Sequence, residues 1–170
     1  MISSKIFINL KDKMQIKFEK CDFTDQVQTG EYIEMINEYM VHPMGGEAHG
    51  HNNNQGLILA KALERHPSAI CFFMLINGER AGIATCFINF STFKIKPYLY
   101  IHDFFIKNSF RGKGLSSKFL SYLIYYSKEH DYCKVTLEVR SDNEVAKHVY
   151  NEMGFKDCEP PMYFWTKYIE

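Results

Sequence analysis

Apolar and polar side chains alternate over residues 15–20 (Gln-Ile-Lys-Phe-Glu-Lys), which predicts a half-buried strand. The period then becomes helical. Val27, Ile33, Ile36, Tyr39 and Met40 follow a cap at Thr24 or Asp25, and the helix should stop near His42 because Pro43 disfavours helical geometry in its predecessor. Residues 44–55 are polar and glycine-rich and read as a loop. Helical spacing returns over residues 56–65, with Leu57, Ala60 and Leu63 on one stripe. Residues 69–76 are an unbroken apolar run, Asn77-Gly78 is a two-residue hairpin turn, and residues 80–90 supply the returning strand. A loop over 91–97 leads to a strand over 98–106. Residues 114–130 then show a helical stripe of Leu115, Phe119, Tyr122, Leu123 and Tyr126. A buried strand is expected over 134–139, and a short helix capped by Asp142 or Asn143 should end at Gly154. Residues 155–157 and 162–168 read as a last pair of strands.

This order predicts an α/β fold: a mixed, mostly antiparallel sheet with a central parallel β-α-β crossover and helices on both faces. Residues 14–170 are expected to form a single domain, with residues 1–13 as an N-terminal extension. That extension has one short apolar patch and no cleavage-like site, so it does not read as a signal peptide.

Composition narrows the options. At 170 residues and 46% hydrophobic content the chain can bury a sizeable core. Twenty basic residues balance twenty acidic ones, which argues against a bulk nucleic-acid binder. No apolar run approaches the roughly 18 residues that span a bilayer, so no membrane role is expected. The five cysteines are scattered, with no C-x-x-C pair, as in a chain whose thiols stay reduced in the cytoplasm. His42, His49 and His51 lack an accompanying carboxylate pattern beyond Glu47, so they read as loop or acceptor contacts and no metal is expected.

The stretch Arg111-Gly112-Lys113-Gly114-Leu115-Ser116 carries the strongest chemical signal. It breaks a strand and opens a helix. Such a turn presents backbone N–H groups without internal partners, and the helix dipole favours an anion there. Gly112 and Gly114 allow close approach, and Arg111 and Lys113 add positive charge. A phosphate or pyrophosphate is the ligand these residue types fit.

These residues, with Asn143-x-x-Ala146-x-x-x-Tyr150-x-x-x-Gly154-Phe155 downstream, resemble the two signatures of the GCN5-related N-acetyltransferase (GNAT) superfamily. The likeness spans residues 15–168. It departs at one position, where Ser116 stands in place of Gly or Ala. The resemblance implies acetyl-CoA as co-substrate, lying between the strand ending at Ile106 and the strand over 134–139. Backbone groups of Phe104, Phe105 and Ile106 would hold the pantetheine arm and the thioester carbonyl. The turn from Gly112 through Leu115, Ser116 and Ser117 would hold the pyrophosphate. Asn143, with Ala146 in the same motif, would bind the pantetheine, and Tyr150 would protonate the departing thiolate. Asn37 to Gly46, Phe90-Ser91-Thr92-Phe93, Ile101-His102-Asp103 and Leu137-Glu138-Val139-Arg140 further resemble a bacterial subgroup of these enzymes. That likeness, with the loops over 44–54 and 91–97, puts Tyr39, Met44, Gly45, Glu47, Phe93 and Glu138 on the acceptor side.

The chemistry suits these residue types. Aminolysis of a thioester needs a neutral amine and an acid for the leaving sulfur. A tyrosine near pKa 10 keeps its proton at neutral pH and can donate it. An alkylammonium acceptor costs about 4 kcal/mol to deprotonate at pH 7, so a base is required. His102 is favoured, with Asp103 orienting it or acting instead, directly or through water. Strict strand alternation would let only one of the two face the acceptor. The expected activity is direct transfer of acetyl to a small-molecule amine. The alternatives are a non-catalytic acyl-CoA-binding module and a protein or peptide N-acetyltransferase. The aromatic C-terminal segment (Tyr163, Phe164, Trp165) suits a homodimer contact.

Overall fold

The computed structural model describes residues 6–8 and 14–169. Among these, six strands form one sheet in the spatial order of the chain: β1 (Ile6–Ile8), β2 (Gln15–Lys20), β3 (Ala69–Ile76), β4 (Glu79–Ser91), β5 (Lys96–Ile106) and β6 (Val135–Leu137). Every pairing is antiparallel except β5 with β6. That last pair is joined by the crossover helix α3 (Leu115–Glu129), which supplies the length a parallel connection needs. The other helices are α1 (Gln26–Met40), α2 (Asn53–Arg65) and α4 (Glu144–Glu152).

The β3–β4 hairpin shows how the sequence builds the sheet. Asn77 and Gly78 both adopt positive φ, at 52° and 87°, as a primed two-residue turn requires. β3 is apolar throughout because both of its faces are covered. Phe72 and Met74 join a core cluster with Phe119, Leu120 and Leu123 of α3. Cys71, Phe73 and Leu75 join a second cluster with Tyr32, Met35 and Ile36 of α1 and Leu63 of α2. The two core layers account for helices on both faces.

Several expectations need correction. α2 starts at Asn53 because Asn52 and Gln55 form a reciprocal capping box. The α2 face in the core uses Gly56, Ala60 and Leu63, and Leu57 points outward. Val27 likewise lies outside the core. Ile6–Ile8, inside the expected extension, pairs with β2 in the register Ile6↔Lys17; the remaining residues of 1–13 lie outside the described residues. The last pair of strands does not form: residues 155–157 and 162–168 are irregular, and apart from half-buried Phe155 they are exposed. Pro160 and Pro161 offer no N–H to a ladder, and Met162 to Trp165 stay out of both core clusters. No helix among the described residues is long and apolar enough to cross a membrane.

A bulge interrupts β4 and β5. Thr85 opposes Asp103 while the next residue, Cys86, opposes Ile101, so His102 is the extra residue. Leu99 and Ile101 face the α3 layer before the bulge; Phe104 and Ile106 face it afterwards. The inserted residue therefore shifts the alternation at the two positions where the candidate base lies.

Candidate active site

β5 and β6 pair only from Leu99–Val135 to Ile101–Leu137. Beyond that point the strands part. Phe104, Phe105 and Ile106 keep their β4 partners Ala84, Ile83 and Gly82 on one edge and have no strand on the other. A cleft of about 1060 Å³ opens there, bounded by the end of β5, the glycine turn, the chain after β6 and α4. Its floor is thus a strand with one free edge of backbone donors and acceptors, available to an extended polar ligand.

At the cleft base, Gly112 has φ 74° and Gly114 has φ 67°. An added Cβ at either meets nothing within 4 Å, so the left-handed backbone is what demands glycine. Gly114 is the N-cap of α3, and no side chain caps this end. Leu115, Ser116 and Ser117 form the first turn, and Ser116 and Ser117 line the cleft, so the uncapped N–H groups define an anion site with the helix dipole behind it. The two cations of the turn also make contacts within the chain. Lys113 donates to the Ser109 carbonyl at 3.2 Å and lies over the Phe110 ring. Arg111 donates through Nε to the Ile106 carbonyl at 2.9 Å, contacts His42 Nε2 through Nη1, and lies over Phe105.

Across the cleft, Asn143 caps α4 by accepting from Ala146 N at 3.1 Å, which leaves its amide N–H groups to donate elsewhere. Tyr150 lies two turns along α4 and lines the cleft. Its ring packs on Phe155, and its hydroxyl makes no hydrogen bond among the described residues. Burial, reinforced by Tyr39, pushes its pKa up to about 12, so the phenol holds its proton at neutral pH.

His102 lines the cleft, with its ring 5.8 Å from Phe87 and 5.8 Å from Tyr100. Asp103 lies behind it, close to Thr85, whose hydroxyl is 2.5 Å from that of the buried Tyr32. Burial raises the Asp103 pKa, against the opposing influence of His102 and a hydrogen bond from Thr85. Tyr100 donates to Glu138 Oε1 at 3.0 Å, and the same hydroxyl lies 3.3 Å from His102 Nδ1.

Of the other acceptor-side residues, Tyr39, Met44 and Glu138 line the cleft. Gly45 sits directly behind them: a Cβ there would lie 2.1 Å from the Tyr39 carbonyl. Glu47 is tied to Met40 O through its backbone and does not reach the cleft lining. Phe93 is 97% exposed at the tip of the β4–β5 hairpin, at the far end of β5 from the cleft. Tyr100 has no role in the sequence reading, which takes His42 as a loop or acceptor contact and Arg140 only as part of the 137–140 likeness. Tyr100 was accessible in principle, being two residues from His102 on one strand; His42 is brought in from 69 residues before Arg111. Arg140 reaches back to the Pro43 carbonyl and pairs with Asp142, joining the chain after β6 to the loop after α1.

No cysteine lines the cleft, and burial pushes the Cys71 thiol up to about 12. Among the described residues there is no group of three His, Cys, Asp or Glu side chains suited to a metal ion. The loop carrying His49 and His51 is held by Asn37, which accepts from His51 N and donates to His51 O.

A cleft between parting parallel strands, floored by a free strand edge and ended by a glycine-opened helix, suits an extended ligand that ends in an anion. The family model for acetyltransferases of the GNAT family matches residues 27–155, and the chain belongs to that family. It is similar to an uncharacterized N-acetyltransferase of Methanocaldococcus jannaschii, 29% identical over 89 residues, which are 52% of this chain and 39% of that protein. An uncharacterized N-acetyltransferase of Archaeoglobus fulgidus is 33% identical over 85 residues, 49% of this chain and 58% of that protein. The chain thus spans between about two-fifths and three-fifths of these two relatives' length. Among solved structures, an aminoglycoside acetyltransferase from an uncultured soil metagenomic sample shares the fold with TM-score 0.73 at 16% identity, covering 91% of this chain and 97% of that one. An aminoglycoside N-acetyltransferase in complex with CoA gives TM-score 0.66 at 16% identity, covering 91% and 94%.

Proposed function

We propose that this chain is an acetyl-CoA-dependent N-acetyltransferase that transfers acetyl directly to a small or medium-sized amine. The observation that carries this reading is the convergence on one cleft of a free β5 edge, an uncapped glycine-opened helix start and a protonated tyrosine. The spacing suits a thioester on a long arm. The backbone of Phe104, Phe105 and Ile106 would hold the pantetheine along the free edge. The N–H groups from Gly112 to Ser117 would hold the pyrophosphate, and the free amide N–H of Asn143 would meet the arm from the α4 side.

His102 takes the proton from the acceptor ammonium. The neutral nitrogen attacks the thioester carbonyl, the carbon–sulfur bond breaks, Tyr150 gives its proton to the leaving thiolate, and the second proton shed by the attacking nitrogen restores the Tyr150 phenol as the amide forms. Asp103, half-buried beside the bulge, orients the strand at His102. A small acceptor agrees with the aminoglycoside substrates named for two structures sharing the fold, and with a cleft roofed by Tyr39, Met44 and Glu138. The free state of all five cysteines fits a reducing cytoplasm.

A thiol-release assay with acetyl-CoA across amines, amino acids, polyamines, aminoglycosides and peptides tests this reading. Turnover with a small amine supports it. CoA binding without release on any amine points to an acyl-CoA-binding module, and release on peptides alone points to a protein acceptor. His102→Ala should alter the acidic limb of the pH–rate profile, where a base is lost to protonation; an unaltered profile refutes the base assignment.

A further inference from the structure

We propose that Tyr100 is a positioning residue that sets the tautomer of His102 and links it to Glu138; the proposal rests on the reading of His102 as base. The three groups come from two strands that part at this point. Tyr100 and His102 lie on β5, and Glu138 follows β6 directly. The Tyr100 hydroxyl is 3.0 Å from Glu138 Oε1 and 3.3 Å from His102 Nδ1.

Donor counting decides the arrangement. A phenol has one proton, and an ionised carboxylate only accepts. The single Tyr100 proton is therefore spent on Glu138, and the phenol stays neutral because burial and Glu138 push its pKa up to about 12. The remaining lone pair faces Nδ1, which must be the protonated nitrogen of the ring. Nε2 is left with the free electron pair, so the nitrogen turned from Tyr100 is the one that accepts a proton. When the acceptor amine gives its proton to Nε2, the Nδ1 proton stays on Nδ1 and the phenol proton stays on Tyr100. The new imidazolium charge is met by Glu138 through the phenol. The other neighbours of His102 are the carboxyl of Asp103 on the same strand and the uncharged Phe87 ring from β4. Glu138 thus acts on the base across the cleft opening, which sequence spacing does not show.

The test is ¹⁵N NMR of the full chain labelled at histidine, above the imidazole titration, with the His102 signals assigned by their loss in His102→Ala. His102 should carry its proton on Nδ1. Tyr100→Phe keeps the ring and removes the hydroxyl. It should move the proton to Nε2, the form an unconstrained imidazole favours. It should also lower kcat/KM about tenfold or more, part of the roughly hundredfold that a positioned base contributes. CoA affinity should not change. Glu138→Gln still accepts from Tyr100, so it should keep the Nδ1–H form and lower kcat. An Nε2–H tautomer in the unsubstituted protein, or an unchanged spectrum in Tyr100→Phe, overturns the proposal. If His102→Ala leaves turnover unchanged, the base assignment fails while the tautomer result stands by itself, so the two failures are distinct.

Discussion

Arg111 Nη1 lies 2.8 Å from His42 Nε2, and this bond joins the glycine turn to the chain leaving α1. The same guanidinium holds the last carbonyl of β5, that of Ile106, and covers the Phe105 ring. One arginine that lines the cleft thus also braces its cofactor side against its acceptor side.

That bond needs a neutral His42. Burial first, and the Arg111 charge second, lower its pKa from the ordinary value of 6.5. The unfolded chain therefore binds this proton more readily than the folded one. The contribution is fully present above pH 6.5 and is lost as pH falls below it. Thermal melts should show a steeper loss of stability below that pH than His42→Gln shows. Equal slopes in the two proteins would remove His42 from the account.

Tyr150→Phe should lower kcat by about a hundredfold, the lower end of what a positioned acid contributes, and leave CoA affinity unchanged. Calorimetric titration with CoA beside steady-state kinetics reads both. A fall in affinity matching the fall in turnover would make Tyr150 a binding residue.

Glycines at two helices should respond in opposite directions. Gly114→Ala forces a Cβ into φ 67° and should cost about 1–2 kcal/mol, with weaker CoA binding because the turn must reshape. Gly30 lies inside α1, and a Cβ there meets nothing within 4 Å. Gly30→Ala should therefore stabilise the protein by about 0.5–1 kcal/mol. Denaturant titration of both variants checks the pair; the same sign for both contradicts the backbone assignment at Gly114.

Burial raises the Asp103 pKa above the ordinary 3.8. The folded state then holds this proton more tightly than the unfolded one, so the contribution is fully present below 3.8 and is lost as pH rises through the folded value. Asp103→Asn keeps the shape without the charge. It should remove this part of the pH dependence and melt no lower than the unsubstituted protein at pH 7. A lower melting point there would show that the carboxylate gains more from Thr85 and His102 than it loses by burial.

Features with local causes were readable in advance. Asn77-Gly78 and the two helix caps each depend on a few adjacent residues; the turn forms where the spacing placed it, and of the paired cap candidates Asp25 and Asn143 are the ones used. The start of α2 was also local in origin, since Asn52 and Gln55 stand three apart, but the polar run hid it. The C-terminal strands were misread because an apolar, aromatic run has strand propensity whether or not a partner edge is available.

The sequence by itself determined the element order from β2 to α4, the unbroken apolar run of β3 and the glycine turn, because hydrophobic period and backbone conformation act over a few residues. Only the tertiary structure decided which side chains meet in the cleft. It joined Arg111 to His42, inserted His102 as a bulge, and left Phe93 at the far end of its hairpin. It also brought Glu138 to Tyr100 across 38 residues. These contacts depend on strand register and on where β5 and β6 part, which arise from packing the whole sheet between its helices.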